Sequence, residues 1–196
     1  GVPEELYQEF LSDITAEIDR ENKIITDLLS LVKMDKKSTD VNIVNMNINQ
    51  LLENILKRLR PIADQRKIDL ILDSFRPVDA DVDEVKFTLA ISNLVENGIK
   101  YNVDEGWVRV TLDADHKFFY VTVADSGLGI PEDSLDRIFE RFYRVDKSHS
   151  REIGGTGLGL AITRSSVAMH HGTIRVFSKE GEGTTFTVRI PLSYIP

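Results

Sequence analysis

The chain has no cysteine among its 196 residues, which excludes disulfides and thiolate metal sites and fits a reducing compartment, the cytoplasm by default. Positive charge is also scarce: 24 Lys and Arg stand against 32 Asp and Glu, a net charge of −8. Nothing in that balance draws the surface toward nucleic acid or anionic lipid, so no nucleic-acid partner is expected. A polyanionic ligand would need local help from a metal ion, amide donors and a few placed cations. No apolar run approaches the roughly 18 residues needed to span a bilayer, and no signal-like start is present. A soluble chain is expected. Because it opens at Gly1 and enters helical sequence almost at once, it reads as a piece of something longer, and membrane anchoring of such a parent stays open.

What is present suffices for one sizeable core plus a helical appendage. From about Leu6 to Val32 the apolar residues Leu11, Ile14, Ile18, Ile25, Leu28 and Val32 recur at steps of three and four, with Glu21 interrupting. That spacing predicts a coiled-coil seam seeking a partner helix. Lys36 to Asp40 form a polar hinge, which divides the chain into a helical part, 1–37, and a main domain, 38–196. Val41 to Met46 then reads as a strand. Asn47 with Gln50, and Asp81 with Glu84, resemble capping boxes opening two helices, the first with Leu51, Leu52, Ile55, Leu56 and Leu59 as its apolar face. Further strands are expected at Ile68 to Leu72, Trp107 to Leu112, Phe118 to Ala124, Thr173 to Phe177 and Thr184 to Ile190, with hairpins at Asp113 to Lys117 and Lys179 to Gly183. The order predicts an α/β fold: a two-layer sandwich of helices on a mixed, mostly antiparallel sheet, preceded by a long coiled-coil-type helix.

Three stretches carry chemistry. On the helix expected from Val82, the residues Phe87, Ile91, Leu94, Val95 and Gly98 share the core face, while Asn93, Asn97, Lys100 and Tyr101 point elsewhere together. The Asn97 amide oxygen is a hard ligand suited to Mg2+, the Lys100 ammonium suits phosphate, and the Tyr101 ring can lie on a purine. Asp125 ends a strand whose core side is Phe119, Val121 and Val123, and parity places it on that same side. An inward carboxylate needs donors, and an adenine exocyclic amine is one. Gly127 and Gly129 allow positive φ and close approach, so that Asp125 to Pro131 turn tightly under a base.

The third stretch, Gly154 to Leu160, runs into a helix over Ala161 to Met169. Free amides at a glycine-rich helix start favour phosphate, although no lysine follows as in a P-loop. Six of the 12 glycines fall between Gly127 and Gly159, and Asp136 to Ile153 between them reads as a lid. In it Phe139, Phe142 and Tyr143 would pack down, and Arg141 and Arg144 could reach phosphate oxygens, Arg144 the better placed. Gly181 to Thr185 precede the last strand, whose parity turns Thr184 inward, its hydroxyl within reach of Asp125 or the base.

This order of motifs resembles the catalytic, ATP-binding domain of sensor histidine kinases, within the GHKL group that also holds gyrase and heat-shock chaperone ATPases. The resemblance runs from about residue 38 to 192 and implies the Bergerat ATP-binding fold. Asn93 to Asn97 with Lys100 and Tyr101 is similar to the N box, Asp125 to Gly129 and Gly154 to Leu160 to the first two glycine boxes, Phe139 to Phe142 to the F box, and Gly181 to Thr185 to the last glycine box. It implies adenine read by Asp125, Mg2+ held by Asn97, and nucleotide contacts from Asn93, Lys100, Tyr101, Gly127, Gly129, Ile130, Tyr143, Arg144, Thr156, Gly157, Leu158, Gly159, Leu160 and Thr184. Asn93, Lys100 and Arg144 are the candidate catalytic residues.

Hydrolysing members of the group carry a glutamate four residues before the magnesium asparagine, where this chain has Asn93. A carboxamide is a poor general base, which favours transfer to a protein acceptor over water attack. The family's acceptor histidine sits in an H-E-x-x-x-P-like stretch, and His116, His149, His170 and His171, the only histidines, lack that context. The N-terminal helix thus resembles the second helix of the dimerisation hairpin. The expected function is that of a catalytic fragment transferring the ATP γ-phosphoryl group to a histidine outside this chain, for relay to a response-regulator receiver domain, with the intact kinase a homodimer. The alternatives are a GHKL-type ATPase and a nucleotide-free interaction module.

Overall fold

The computed structural model describes residues 3–35, 41–145 and 155–196. Along it run α1 (Glu4–Asp35), β1 (Ile43–Asn47), α2 (Ile48–Gln65), β2 (Asp69–Ser74), β3 (Asp79–Asp83), α3 (Glu84–Lys100), β4 (Trp107–Ala114), β5 (Phe118–Asp125), a short 3-10 turn (Glu132–Ser134), α4 (Gly159–Met169), β6 (Thr173–Lys179) and β7 (Gly183–Pro191). Five strands form one sheet in the order β2-β4-β5-β7-β6. Only the β2–β4 pairing is parallel, so the expected mixed, mostly antiparallel sheet is present, with both hairpins where the turn residues placed them.

Period-two alternation explains the core. Val108, Val110 and Leu112 of β4, Phe119, Val121 and Val123 of β5, and Phe186, Val188 and Ile190 of β7 are buried on one face. They meet Leu52, Ile55 and Leu56 of α2 and Phe87, Ile91, Leu94 and Val95 of α3. Each such side chain contributes about 1.5–3 kcal/mol by leaving water. The Asn47 side chain caps α2 by accepting from the Gln50 N–H at 2.9 Å.

The second cap differs from expectation. Helix α3 begins after Asp83, whose Oδ1 accepts from the Lys86 N–H at 3.0 Å, whereas Asp81 lies in β3, a strand the propensities hid because three of its five residues are aspartate. Asp81 is held there by β1, its Oδ1 accepting from Asn45 Nδ2 at 2.9 Å. Burial works against ionised Asp83, yet the Lys86 ammonium at 2.9 Å and the Asn42 N–H hold its carboxyl below the usual range.

Helix α1 carries two faces. Of the anticipated seam, Leu11, Ile14, Ile18, Ile25 and Val32 are 40% to 55% exposed. The helix instead lays Arg20, Ile24, Asp27, Leu28, Leu31 and Met34, a stripe roughly 120° away at 3.6 residues per turn, toward its own domain. Leu31 is fully buried with Leu158 and Ile162 of the α4 region, and Leu28, Met34 and Leu89 close around them. The predicted hinge and the division at residue 38 lie outside the described residues. Among the described residues no helix is long and apolar enough to cross a membrane.

His170, which caps the end of α4, is buried. Its Nε2 accepts from the Asp83 N–H at 2.9 Å and its Nδ1 donates to the Ser166 carbonyl at 2.7 Å, an arrangement that requires the neutral ring. Desolvation pushes its pKa below the ordinary 6.5, outweighing the Ser166 contact and the nearby Asp83 charge. Below pH 6.5 the unfolded chain therefore takes a proton that the folded chain refuses, and stability falls as pH drops. Urea unfolding between pH 7.5 and 5 should show a shallower acid loss for His170→Gln than for the parent chain, the subtraction cancelling every other titrating group.

Candidate functional site

The site begins where β5 ends. Asp125 sits opposite Thr184 of β7, and its Oδ1 accepts from the Gly127 N–H at 2.8 Å and the Thr184 N–H at 3.2 Å. Desolvation nevertheless pushes its pKa up to about 6, these two bonds opposing it. Among the described residues nothing donates to Oδ2, so the carboxylate keeps one acceptor for a ligand. Thr184 differs from expectation: its backbone, not its hydroxyl, serves Asp125, while the hydroxyl lies 2.8 Å from Ser178 Oγ. Ser178 also accepts from the Ile130 N–H at 2.8 Å, tying the turn after Asp125 to β6. Ser178 was not found by sequence reasoning, because only the β6–β7 register brings it there.

Glycines set the spacing. A Cβ on Gly98 would come within 3.1 Å of Val108 and 3.4 Å of the Asp125 Cβ, so α3 passes close over the end of β5. A Cβ on Gly127 would strike the Tyr101 carbonyl, which accepts from the Leu128 N–H at 3.0 Å. Gly127 is thus required by crowding, and positive φ belongs to Gly129 alone of the pair, at 70°.

The polar face of α3 meets the glycine-rich turn before α4, which starts at Gly159, two residues ahead of expectation. Asn93 Nδ2 donates to the Gly159 carbonyl at 3.2 Å. A Cβ on Gly155 would lie 3.1 Å from the Tyr101 hydroxyl and 3.5 Å from both Arg144 Nη2 and Lys100 Nζ. Lys100, Tyr101 and Arg144 therefore converge on one backbone segment without a side chain. Burial, then the Lys23 and Arg144 charges, depress Lys100 to about 8, with Glu96 opposing them. Asn97, one turn from Asn93, is half-buried, and among the described residues its amide takes no hydrogen bond. Nor do three His, Cys, Asp or Glu side chains there gather as a metal site, so a divalent ion would rest on the Asn97 amide and on ligand oxygens, as Mg2+ commonly does.

Gly157 has φ of 72° and its carbonyl accepts from the Phe142 N–H at 2.8 Å. Leu158 turns its side chain into the α1 cluster, and its N–H goes to Thr156 Oγ1 at 3.2 Å. Leu160 and Ile130 pack half-buried on the main core. In the lid region Phe139 stacks edge-on against Phe186 at 6.3 Å and Tyr143 lies under Arg137 at 4.4 Å. Phe142, expected to pack down, is 57% exposed. Arg141 is exposed, and the rest of the predicted lid, with His149 and Gly154, lies outside the described residues. Two α1 residues also reach the site unannounced by any motif: Lys23 pairs with Glu96 at 3.5 Å, and Asp27 Oδ2 accepts from Thr156 Oγ1 at 2.8 Å.

Comparison with known proteins follows the same outline. Residues 82–194 match the family described as histidine kinase-, DNA gyrase B-, and HSP90-like ATPase. The chain is 35% identical over 185 residues to the sensor histidine kinase WalK of Bacillus subtilis, covering 93% of this chain and 30% of WalK. It therefore spans less than half the length of that relative. The catalytic domain of histidine kinase ThkA superposes with a TM-score of 0.69 at 25% identity, over 78% of this chain and 97% of that one. Histidine kinase ThkA in complex with the response regulator TrrA gives 0.79 at 23% identity, over 98% of this chain and 53% of that one, a likeness of fold that takes in α1.

Since the folded pKa of Asp125 is about 6 and its ordinary value 3.8, the folded chain carries a desolvated charge above pH 6 and is relieved of it as pH falls toward 4. Asp125→Asn keeps an oxygen for the Gly127 and Thr184 amides and removes the charge. The ligand-free variant should melt higher than the parent at pH 8, and the gap should close below pH 6. An equal gap at both pH values, measured by calorimetry, would refute the assignment.

Proposed function

Because the chain belongs to the histidine kinase-, DNA gyrase B- and HSP90-like ATPase family, we propose that its cleft binds Mg-ATP and directs the γ-phosphoryl group to a histidine on a helical dimerisation segment. It would do so as the catalytic part of a two-component sensor kinase whose relay continues to a response-regulator receiver domain. The observation that carries this reading is the pairing of a half-buried carboxylate with one free acceptor oxygen, Asp125, and a cation cluster of Lys100 and Arg144 around Gly155. A purine amine and a triphosphate satisfy both ends at once. ThkA, whose fold this chain shares, is a histidine kinase solved with a response regulator, which supports the partner class.

The residues divide the work. Asp125 selects the exocyclic amine, since a carboxylate accepts where an amide nitrogen would not. Tyr101 and Ile130 flank the base. Lys100, Arg144 and the turn from Thr156 to Gly159 neutralise phosphate charge, the usual main contribution of protein to phosphoryl transfer. Mg2+, held by Asn97 and phosphate oxygens, would supply charge neutralisation across the transferring group. Asn93 spends its amide N–H on the Gly159 carbonyl, so the position that activates water in hydrolysing relatives here fastens α3 to α4. Transfer is thereby favoured over hydrolysis. The α1 seam of Leu11, Ile14, Ile18, Ile25 and Val32, exposed on this chain, suits pairing in a homodimeric parent.

Incubating the chain with Mg-ATP and a separately produced histidine-bearing dimerisation hairpin should yield acid-labile phosphohistidine on the hairpin, in excess of free phosphate. Phosphate release that dominates with or without the hairpin would favour the ATPase reading instead. A second test uses protons. Donation to Asp125 by the adenine amine stabilises the carboxylate, and a triphosphate beside Lys100 stabilises the ammonium. Titration calorimetry in buffers of different ionisation enthalpy should therefore show proton release on Mg-ATP binding near pH 6 and uptake near pH 8, with uptake lost in Lys100→Met.

A further inference from the structure

Helix α1 touches the glycine-rich turn through one polar contact. Thr156 Oγ1 donates to Asp27 Oδ2 at 2.8 Å and in turn accepts from the Leu158 N–H at 3.2 Å. The hydroxyl's single hydrogen is therefore committed to α1. Thr156 follows Gly155, the point on which Tyr101, Lys100 and Arg144 converge, so that same hydroxyl lies in the segment offered to phosphate oxygens. One proton cannot be donated to two acceptors at full strength. The Asp27 carboxylate also places a negative charge against a turn meant for an anion.

We propose that Asp27 and the phosphates of a bound nucleotide compete for the Thr156 hydroxyl, so that docking of α1 on the domain and nucleotide binding oppose each other. This rests on the nucleotide reading of the cleft and adds its regulation. The surrounding contacts define what is gained and lost. Leu31, Leu158 and Ile162 form an apolar anchor that nucleotide does not touch. The Lys23–Glu96 pair at 3.5 Å is between half-exposed groups and adds little. The Asp27–Thr156 bond, charge-assisted and half-buried, is thus the element of the α1 interface that nucleotide addresses directly. By linkage, nucleotide weakens α1 docking by the same factor by which α1 docking weakens nucleotide binding.

Titration calorimetry of Mg-ATP into the chain and into Asp27→Ala tests this, together with amide hydrogen exchange across residues 27–34. Asp27→Ala should bind Mg-ATP about 3- to 10-fold more tightly, in the range a charge-assisted hydrogen bond supplies after exchange with water. Asp27→Asn, which keeps an acceptor and loses the charge, should fall between. Mg-ATP should raise exchange over residues 27–34 in the parent chain, whereas Asp27→Ala should exchange faster before nucleotide is added and respond little to it. Equal affinity in all three chains, with exchange over α1 unmoved by nucleotide, overturns the competition while leaving the nucleotide site standing. Failure of every chain to bind Mg-ATP overturns the proposed function, and the competition with it.

Discussion

The site depends on keeping a carboxylate where water is scarce. Asp125 is the last residue of β5, and its retention there rests on two amides, one supplied by the next turn and one by the strand opposite. That second donor exists only because β5 and β7 are in register, Asp125 against Thr184. The first exists only because Gly127 lacks a Cβ and can sit under the Tyr101 carbonyl. Sheet register, the C-terminal end of α3 and a glycine turn therefore all converge on one oxygen atom. The sister oxygen is left for chemistry.

The opposite end of the cleft is held against its own electrostatics. Lys100 is half-buried beside Lys23 and Arg144, and desolvation followed by those charges weakens its ammonium to about 8. A site built for stability alone would neither half-bury a carboxylate with a spare acceptor nor set an ammonium beside two other cations. Under the proposed nucleotide reading, a ligand that presents a donor to Asp125 and negative charge to Lys100 offsets both costs. Glu96, drawn to Lys23 rather than to Lys100 alone, moderates the repulsion without neutralising it.

How much of this was legible in the sequence depended on whether the signal was local. Strands β4, β5, β6 and β7 announced themselves by alternation, α2 by its Asn47 cap and apolar stripe, and the cleft by glycines flanking Asp125 and preceding α4. The misreadings have a common cause. Asp81 and Asp83 are both good caps by residue type, and what separates them is a strand partner, Asn45, and an ion pair with Lys86, neither of which spacing reveals. Thr184 was correctly turned inward by parity, but parity cannot tell a hydroxyl from the backbone N–H beside it. Ser178 became visible only when β6 lay against β7. Phe142 followed the aromatic pattern of its neighbours, yet at positive φ its side chain leaves the face that Phe139 and Tyr143 share.

Helix α1 shows the same limit in a form that bears on function. The strongest apolar period along it is the stripe of Leu11, Ile14, Ile18, Ile25 and Val32, and any reading by hydrophobicity settles there. The stripe that meets the domain is mixed, and its Asp27, like the neighbouring Lys23, gains meaning only from a partner far away in sequence, Thr156 for the one and Glu96 for the other. Because the two stripes lie roughly a third of a turn apart and share only Leu28, which the domain takes, occupying one leaves the rest of the other open. One stripe is then left exposed along most of the helix while its last turns remain anchored by Leu31 against Leu158 and Ile162. Its amphipathic period faces solvent, and the residues outside that period hold the helix against Thr156, Leu158 and Ile162 of its own domain.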